Sequence, residues 1–132
     1  MKPKILFVCI GNSCRSQMAE GFAKALAEEK IEAYSAGSRP LGYIHPRTIQ
    51  VMHEVGIDIS QHSSKSLYEV PQIHYDIVVG MGCGDACPQI KTTERLDWEI
   101  PDPFSGGAED FKKVRDQIKK QVLELLKEKK FI

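Results

Sequence analysis

The sequence carries no net charge: 18 lysines and arginines stand against 18 aspartates and glutamates in 132 residues. Binders of nucleic acid or anionic membrane ordinarily show a basic excess, so neither partner class is expected. Any apolar run long enough to cross a bilayer is also absent. The N-terminal run, residues 4–10, breaks at Gly11-Asn12, and no small-residue cleavage site follows it. No repeat, low-complexity tract or linker-like shift divides the chain, so one domain over residues 1–132 is expected. Cysteine is sparse, at four. Without a secretory leader a cytoplasmic location follows as the expectation, and there thiols serve catalysis, redox exchange or metal binding more often than stapling. What remains is 42% hydrophobic and 27% charged, the composition of a globular domain able to bury a real core.

Residues 4–9 form a continuous apolar run, as in a strand buried on both faces, and stop at the turn formers Gly11-Asn12-Ser13. A helix follows, with Ala19, Phe22, Ala23 and Leu26 on one stripe. Residues 31–36 read as a second strand and residues 75–81 as a third, with a weaker strand at 95–98. Pro46 opens a helix expected to turn Ile49, Met52 and Val55 inward and to stop at Gly56. Ala108, Phe111, Val114, Ile118, Val122 and Leu125 trace a long amphipathic helix. It ends in Lys127, Lys129 and Lys130, which suit the negative end of its dipole as a solvated last turn. The alternation predicts an α/β fold: three layers, α/β/α, around a four-stranded parallel sheet. Ligands of such sheets bind beyond the carboxyl ends of the strands. Residues 9–15 and 81–87 both fall there, so two cysteine pairs share one edge.

Residues 9–16, Cys-Ile-Gly-Asn-Ser-Cys-Arg-Ser, join the first strand to the first helix. Loop N–H groups and the positive end of a helix converge on one point, which suits a tetrahedral oxyanion. Gly11 and Asn12 tolerate the positive φ such a loop needs. Arg15 offers a two-pronged clamp, and Gly11, Asn12, Ser13, Cys14 and Ser16 complete the oxyanion-binding set. A thiol in that field is expected as a thiolate, so Cys9 is the candidate nucleophile, with Ser16 as its hydrogen-bond donor.

The stretch from Val8 to Gly21 resembles the phosphate-binding loop of the low-molecular-weight protein tyrosine phosphatase superfamily. More narrowly it is similar to the thioredoxin-coupled arsenate reductases, which have glutamine where Gln17 stands and where the phosphatases typically have proline. Tyr34-Ser35-Ala36-Gly37, residues 56–60 and Asp102-Pro103 continue the likeness in order. The resemblance implies a low-molecular-weight phosphatase-like fold and a soluble monomer without bound cofactor or metal. It also implies arsenate as substrate, with phosphate or sulfate as competitors, in the service of arsenical resistance. Asp102 would be the general acid. Cys9 would attack arsenate, Cys83 would attack Cys9 and expel arsenite, and Cys87 would move the disulfide to a redox-active Cys83–Cys87 pair. External thioredoxin would reduce that pair. Gly82 and Gly84 would let Cys83 swing between two sulfur partners. Only Gly84-Asp85-Ala86 separates the last two cysteines, a shorter stretch than in the best-described reductases. Cys14 is left with a minor role, a Cys9–Cys14 disulfide being a rival resting state.

Some reductases of the family hold potassium with residues matching Asn12, Glu20 and Ser35 and a further acid. Lys65 occupies that acid's position, and its ammonium is expected to replace the ion. Two other readings stay open. A phosphomonoester hydrolase on the same scaffold would use Cys9 alone, although Phe104-Ser105-Gly106-Gly107 supplies one aromatic wall at most. A non-catalytic module would hold a metal with four thiolates, but it leaves Arg15, Ser16 and Asp102 without a role. His45, His53, His62 and His74 carry no motif and are expected in surface or loop packing. Trp98 is expected in the core.

Overall fold

The structure is a computed structural model describing residues 2–82 and 90–132. Cys83 and Cys87 lie outside the described residues. Four strands, β1 (Lys4–Cys9), β2 (Glu32–Gly37), β3 (Tyr75–Gly80) and β4 (Thr92–Asp97), form one parallel sheet in the order β2-β1-β3-β4. The helices are α1 (Arg15–Ala27), α2 (Pro46–His53) and α3 (Ala108–Glu128). This is the four-stranded α/β architecture the alternation implies.

Successive strand residues point to opposite faces, and β1 is buried from Ile5 to Cys9 because both faces are covered. Ile5, Phe7 and Cys9 join Ile77 and Val79 in a core with Met18 and Phe22 of α1, Met52 of α2, and Phe111, Ile118 and Val122 of α3. Leu6 and Val8 point the other way, into a smaller core with Val70, Tyr75 and Val78 that Leu67 and Ile90 cover. Each fully buried large side chain is worth roughly 1.5–3 kcal/mol of transfer free energy, so the α3 stripe alone anchors that helix firmly.

Two elements differ from the sequence expectation. Helix α2 ends at His53, and Val55 is exposed rather than inward. The Ile57 N–H closes back on the Met52 carbonyl and the Gly56 N–H on that of His53, with Gly56 at φ 82°. This left-handed closure lifts Val55 away from the helix axis, so Thr48, Val51 and Met52 form the buried face. Strand β4 begins three residues earlier than its apolar pattern. It sits at the sheet edge, where Thr92, Thr93 and Glu94 are held by pairing to β3 rather than by burial. At the end of α3, Lys129 is not merely solvated, because its ammonium pairs with Glu94 of β4.

Candidate active site

The loop after β1 is shaped by close backbone approach. Gly37, at the end of β2, lies where a Cβ would stand 2.6 Å from the Ile10 carbonyl oxygen and 2.9 Å from the Asn12 nitrogen. Only glycine lets the two chain segments touch there. The Ser38 and Arg39 N–H groups then donate to the carbonyls of Cys9 and Ile10. Asn12 adopts φ 48°, the left-handed turn expected of it. Among the described residues no side chain caps the start of α1, and its first turn holds no acidic residue. Its N–H groups and dipole therefore remain available to an anion.

Cys9 and Cys14 are both free, buried thiols. The Cys9 Sγ lies 2.9 Å from the Ser16 Oγ, and a chain of hydrogen bonds decides which atom donates. The Lys65 backbone N–H donates to Asn12 Oδ1, which fixes the amide's orientation. Asn12 Nδ2 then donates to both Ser16 Oγ and Ser35 Oγ, at 2.7 and 3.0 Å. Ser35 passes its own proton to Glu20 Oε1, a carboxylate that can only accept. Ser16, already accepting from Asn12, has its proton left for the Cys9 sulfur. The network thus polarises a donor toward the nucleophile.

Arg15 is the buried cation expected beside it. Its Nη1 donates to the Ile100 carbonyl at 3.2 Å, and its Nη2 lies 3.6 Å from Asp102 Oδ2. Gly82, at φ 92°, packs against it so closely that a Cβ would stand 2.7 Å from Nη1. Asp102 is half-exposed, and its Oδ1 accepts from the Phe104 N–H at 3.0 Å. A cavity of about 350 Å³ opens onto Cys9, Ser13, Cys14, Arg15 and Asp102, rimmed by Arg39, Leu41 and Phe104. Cys9, Arg15, Asp102 and the residues of the loop are thereby brought to one place. Cys83 and Cys87 fall beyond the described residues.

Cys14 differs from Cys9 in its setting. Burial pushes its thiol up to about 11, with Asp102 and Cys9 adding to the rise and Thr48 and Arg15 opposing it. The Thr48 hydroxyl, buried and without a hydrogen-bond partner among the described residues, lies near this sulfur and opposes the rise. A thiol so held stays protonated at neutral pH and makes a poor nucleophile.

Several contributors were not among the expected site residues. Gln17 ties the loop down: its amide donates to the Asn12 carbonyl, Asn12 Oδ1 and the Ser63 carbonyl. Its Oε1 therefore accepts from His62 Nδ1 at 3.0 Å, which sets the histidine tautomer. Burial lowers the His62 pKa while Glu20 opposes the change. His45 caps α2, accepting from the Arg47 N–H, and its backbone N–H donates to Ser13. Its place just before Pro46 was the available signal, since residues preceding a first-turn proline commonly cap.

Around buried Glu20 the donors are already claimed. Lys24 and Ser35 each reach its carboxylate at 2.5 Å, and Lys65 Nζ lies 3.9 Å away. Asn12 Oδ1 faces Gln17 and Lys65, and its Nδ2 faces two hydroxyls. Among the described residues no oxygen ring is left open here, so these side chains do not fit a potassium ion.

Residues 4–130 match the family of low molecular weight phosphotyrosine protein phosphatases. The chain is 43% identical over 126 residues to a glutaredoxin arsenate reductase of Synechocystis, covering 93% of this chain and 95% of the relative. It is 45% identical over 122 residues to arsenate reductase 1 of Staphylococcus epidermidis, covering 89% and 91%. Among solved structures, an arsenate reductase in a phosphate-binding state superposes with a TM-score of 0.87 at 42% identity, over 97% of this chain and 98% of that one. A thioredoxin-dependent arsenate reductase of Corynebacterium glutamicum gives 0.79 at 32%, over 96% and 61%. An anion cradle at a helix N-terminus, a thiol beneath it and likeness over nearly the whole length agree: the chain belongs to the low-molecular-weight phosphotyrosine protein phosphatase family.

Proposed function

We propose that this protein reduces arsenate to arsenite. The observation that carries the reading is the polarised Asn12–Ser16–Cys9 chain beneath an arginine-gated oxyanion pocket, in a chain over 40% identical to arsenate reductases. The Cys9 sulfur attacks arsenic, and Arg15 with the loop N–H groups holds the arsenate oxygens as charge shifts onto them. The departing oxygen leaves as water after taking a proton from Asp102. Cys83 then attacks the Cys9 sulfur, the sulfur–arsenic bond breaks, and its electron pair stays on arsenic as arsenite departs. Two thiols have become a disulfide, which supplies the two electrons the reduction needs. Cys87 attacks Cys83, frees Cys9 and leaves a Cys83–Cys87 disulfide for an external dithiol.

Thioredoxin is the donor this reading favours. The test is a coupled assay in which arsenate drives oxidation of reduced thioredoxin, run beside glutathione with glutaredoxin. Arsenate-dependent turnover with thioredoxin is expected, and turnover with glutathione and glutaredoxin alone would contradict the donor assignment. Phosphate and sulfate compete for the cradle and raise the apparent KM for arsenate. Lys65 takes the place of a monovalent cation beside Glu20, in keeping with the occupied donors there.

A further inference from the structure

The acid loop and the anion loop are separated by some ninety residues of sequence, yet the oxyanion must meet both at once. Besides Arg15, which reaches Asp102 and the Ile100 carbonyl, one further side chain spans the gap. The His45 ring stands edge-on to Phe104, with centroids 5.1 Å apart and planes at 83°. Its other side lies against Phe111 of α3, at 4.7 Å. Its backbone N–H donates to both the carbonyl and the hydroxyl of Ser13, in the loop that carries Cys9. Phe104 in turn holds Asp102, through the 3.0 Å bond from its N–H to Oδ1, and leaves Oδ2 facing Arg15.

The two ends of the contact are held differently. Phe111 is fully buried on α3, whereas the Phe104 and Asp102 side chains are exposed on either side of the buried Pro103. Within the segment before α3 the Gly106 N–H donates to the Pro103 carbonyl, and the Gly107 N–H ties its end to Asp110 of that helix. The His45 ring, gripped by Phe111 and by the cap on Arg47, is the fixed surface against which Phe104 rests. Accepting the Arg47 N–H requires Nδ1 to be unprotonated, so the ring meets Phe104 as a neutral imidazole. Partial burial and the Arg47 charge favour that state.

We infer that His45 is a positioning residue for proton delivery: its ring, through Phe104, aims the Asp102 carboxyl at an oxyanion held in the Cys9–Arg15 cradle. This rests on the reading of Asp102 as the acid. A misplaced acid costs rate without loosening the substrate, since the cradle itself is built from other groups.

Two substitutions separate the ring from the helix cap. His45→Asn keeps an acceptor for the Arg47 N–H and removes the aromatic bridge. His45→Phe restores the ring and removes the acceptor. Arsenate turnover, thermal unfolding and a double-mutant cycle with Asp102→Asn give the readout. H45N is expected to lower kcat about tenfold with the arsenate KM within about twofold. The cap survives, so its Tm should fall only by what the lost ring packing on Phe111 was worth. H45F should recover most of the lost kcat at a lower Tm. In a D102N background, itself slowed by about a hundredfold or more, H45N should cost nothing further. Full kcat in H45N beside an impaired D102N would overturn the positioning role alone, as would losses that multiply in the double variant. Full kcat in D102N would overturn the acid assignment, and the positioning role with it.

Discussion

Replacing Ser16 by alanine removes the one hydrogen bond that reaches the nucleophile's sulfur among the described residues. The bond is buried, 2.9 Å long, and its direction is imposed by Asn12 rather than chosen by the hydroxyl. A hydrogen bond to a charged group is worth about 1.5–3 kcal/mol, or roughly 10- to 150-fold, which bounds what Ser16 contributes to holding negative charge on the sulfur. A more basic sulfur is also more nucleophilic, and that recovers about half of the loss on a logarithmic scale. The net expectation is slower alkylation of Cys9 by iodoacetamide at pH 7, by at most about 3- to 12-fold, followed by peptide mass mapping so that the other cysteines do not interfere. Asn12→Asp supplies the sharper control. Its carboxylate accepts the Ser16 proton and turns the hydroxyl away from sulfur, so the slowing should be at least as large. The two changes should be less than multiplicative in the double variant, because both act through one proton. Wild-type alkylation in either single variant would refute the relay.

Four further outcomes follow from the geometry. Gly37→Ala drives a Cβ into the Ile10 carbonyl and the Asn12 nitrogen, so oxyanion protection of Cys9 from alkylation should be lost in whatever protein folds. Gly82→Ala adds left-handed strain of about 1–2 kcal/mol and pushes Arg15 aside; a Tm lower by about 5 °C and weaker phosphate inhibition are expected, and unchanged inhibition would separate Gly82 from Arg15. The Cys14 thiol, raised from 9.0 to about 11, ionises first in the unfolded chain. Stability it confers is therefore complete below pH 9 and lost between pH 9 and 11, by at most about 3 kcal/mol, and Cys14→Ser should flatten this alkaline limb in denaturant titrations. Exchanging potassium for sodium at fixed ionic strength should leave turnover unchanged, and clear potassium activation would show that Lys65 does not occupy the cation's place.

The site was legible where chemistry concentrates in sequence. A buried strand running into Gly11-Asn12 and then a helix can build only a few structures, and Cys9, Arg15 and the loop between them sit as that pattern implies. Asp102 was legible through its dipeptide, and it does reach Arg15. Long-range partners were not. Gly37 reads as an ordinary strand end, although its missing side chain is what admits the loop. His45 and His62 lack a motif because their roles come from neighbours 59 and 45 positions away, Phe104 and Gln17. The α2 register misled for a local reason: Val55 keeps helical spacing in sequence although the helix has already ended at His53. Strand β4 hid its first half because an edge strand held by backbone pairing has no need of apolar alternation.

A single turnover without any donor tests the central claim most directly. Fully reduced protein mixed with excess arsenate should release one arsenite per chain and lose two thiols, in a constant one-to-two ratio with time, and then stop. Cys83→Ser should release none. Arsenite formed without loss of thiols, or formed undiminished by C83S, would contradict an electron path from Cys9 through Cys83.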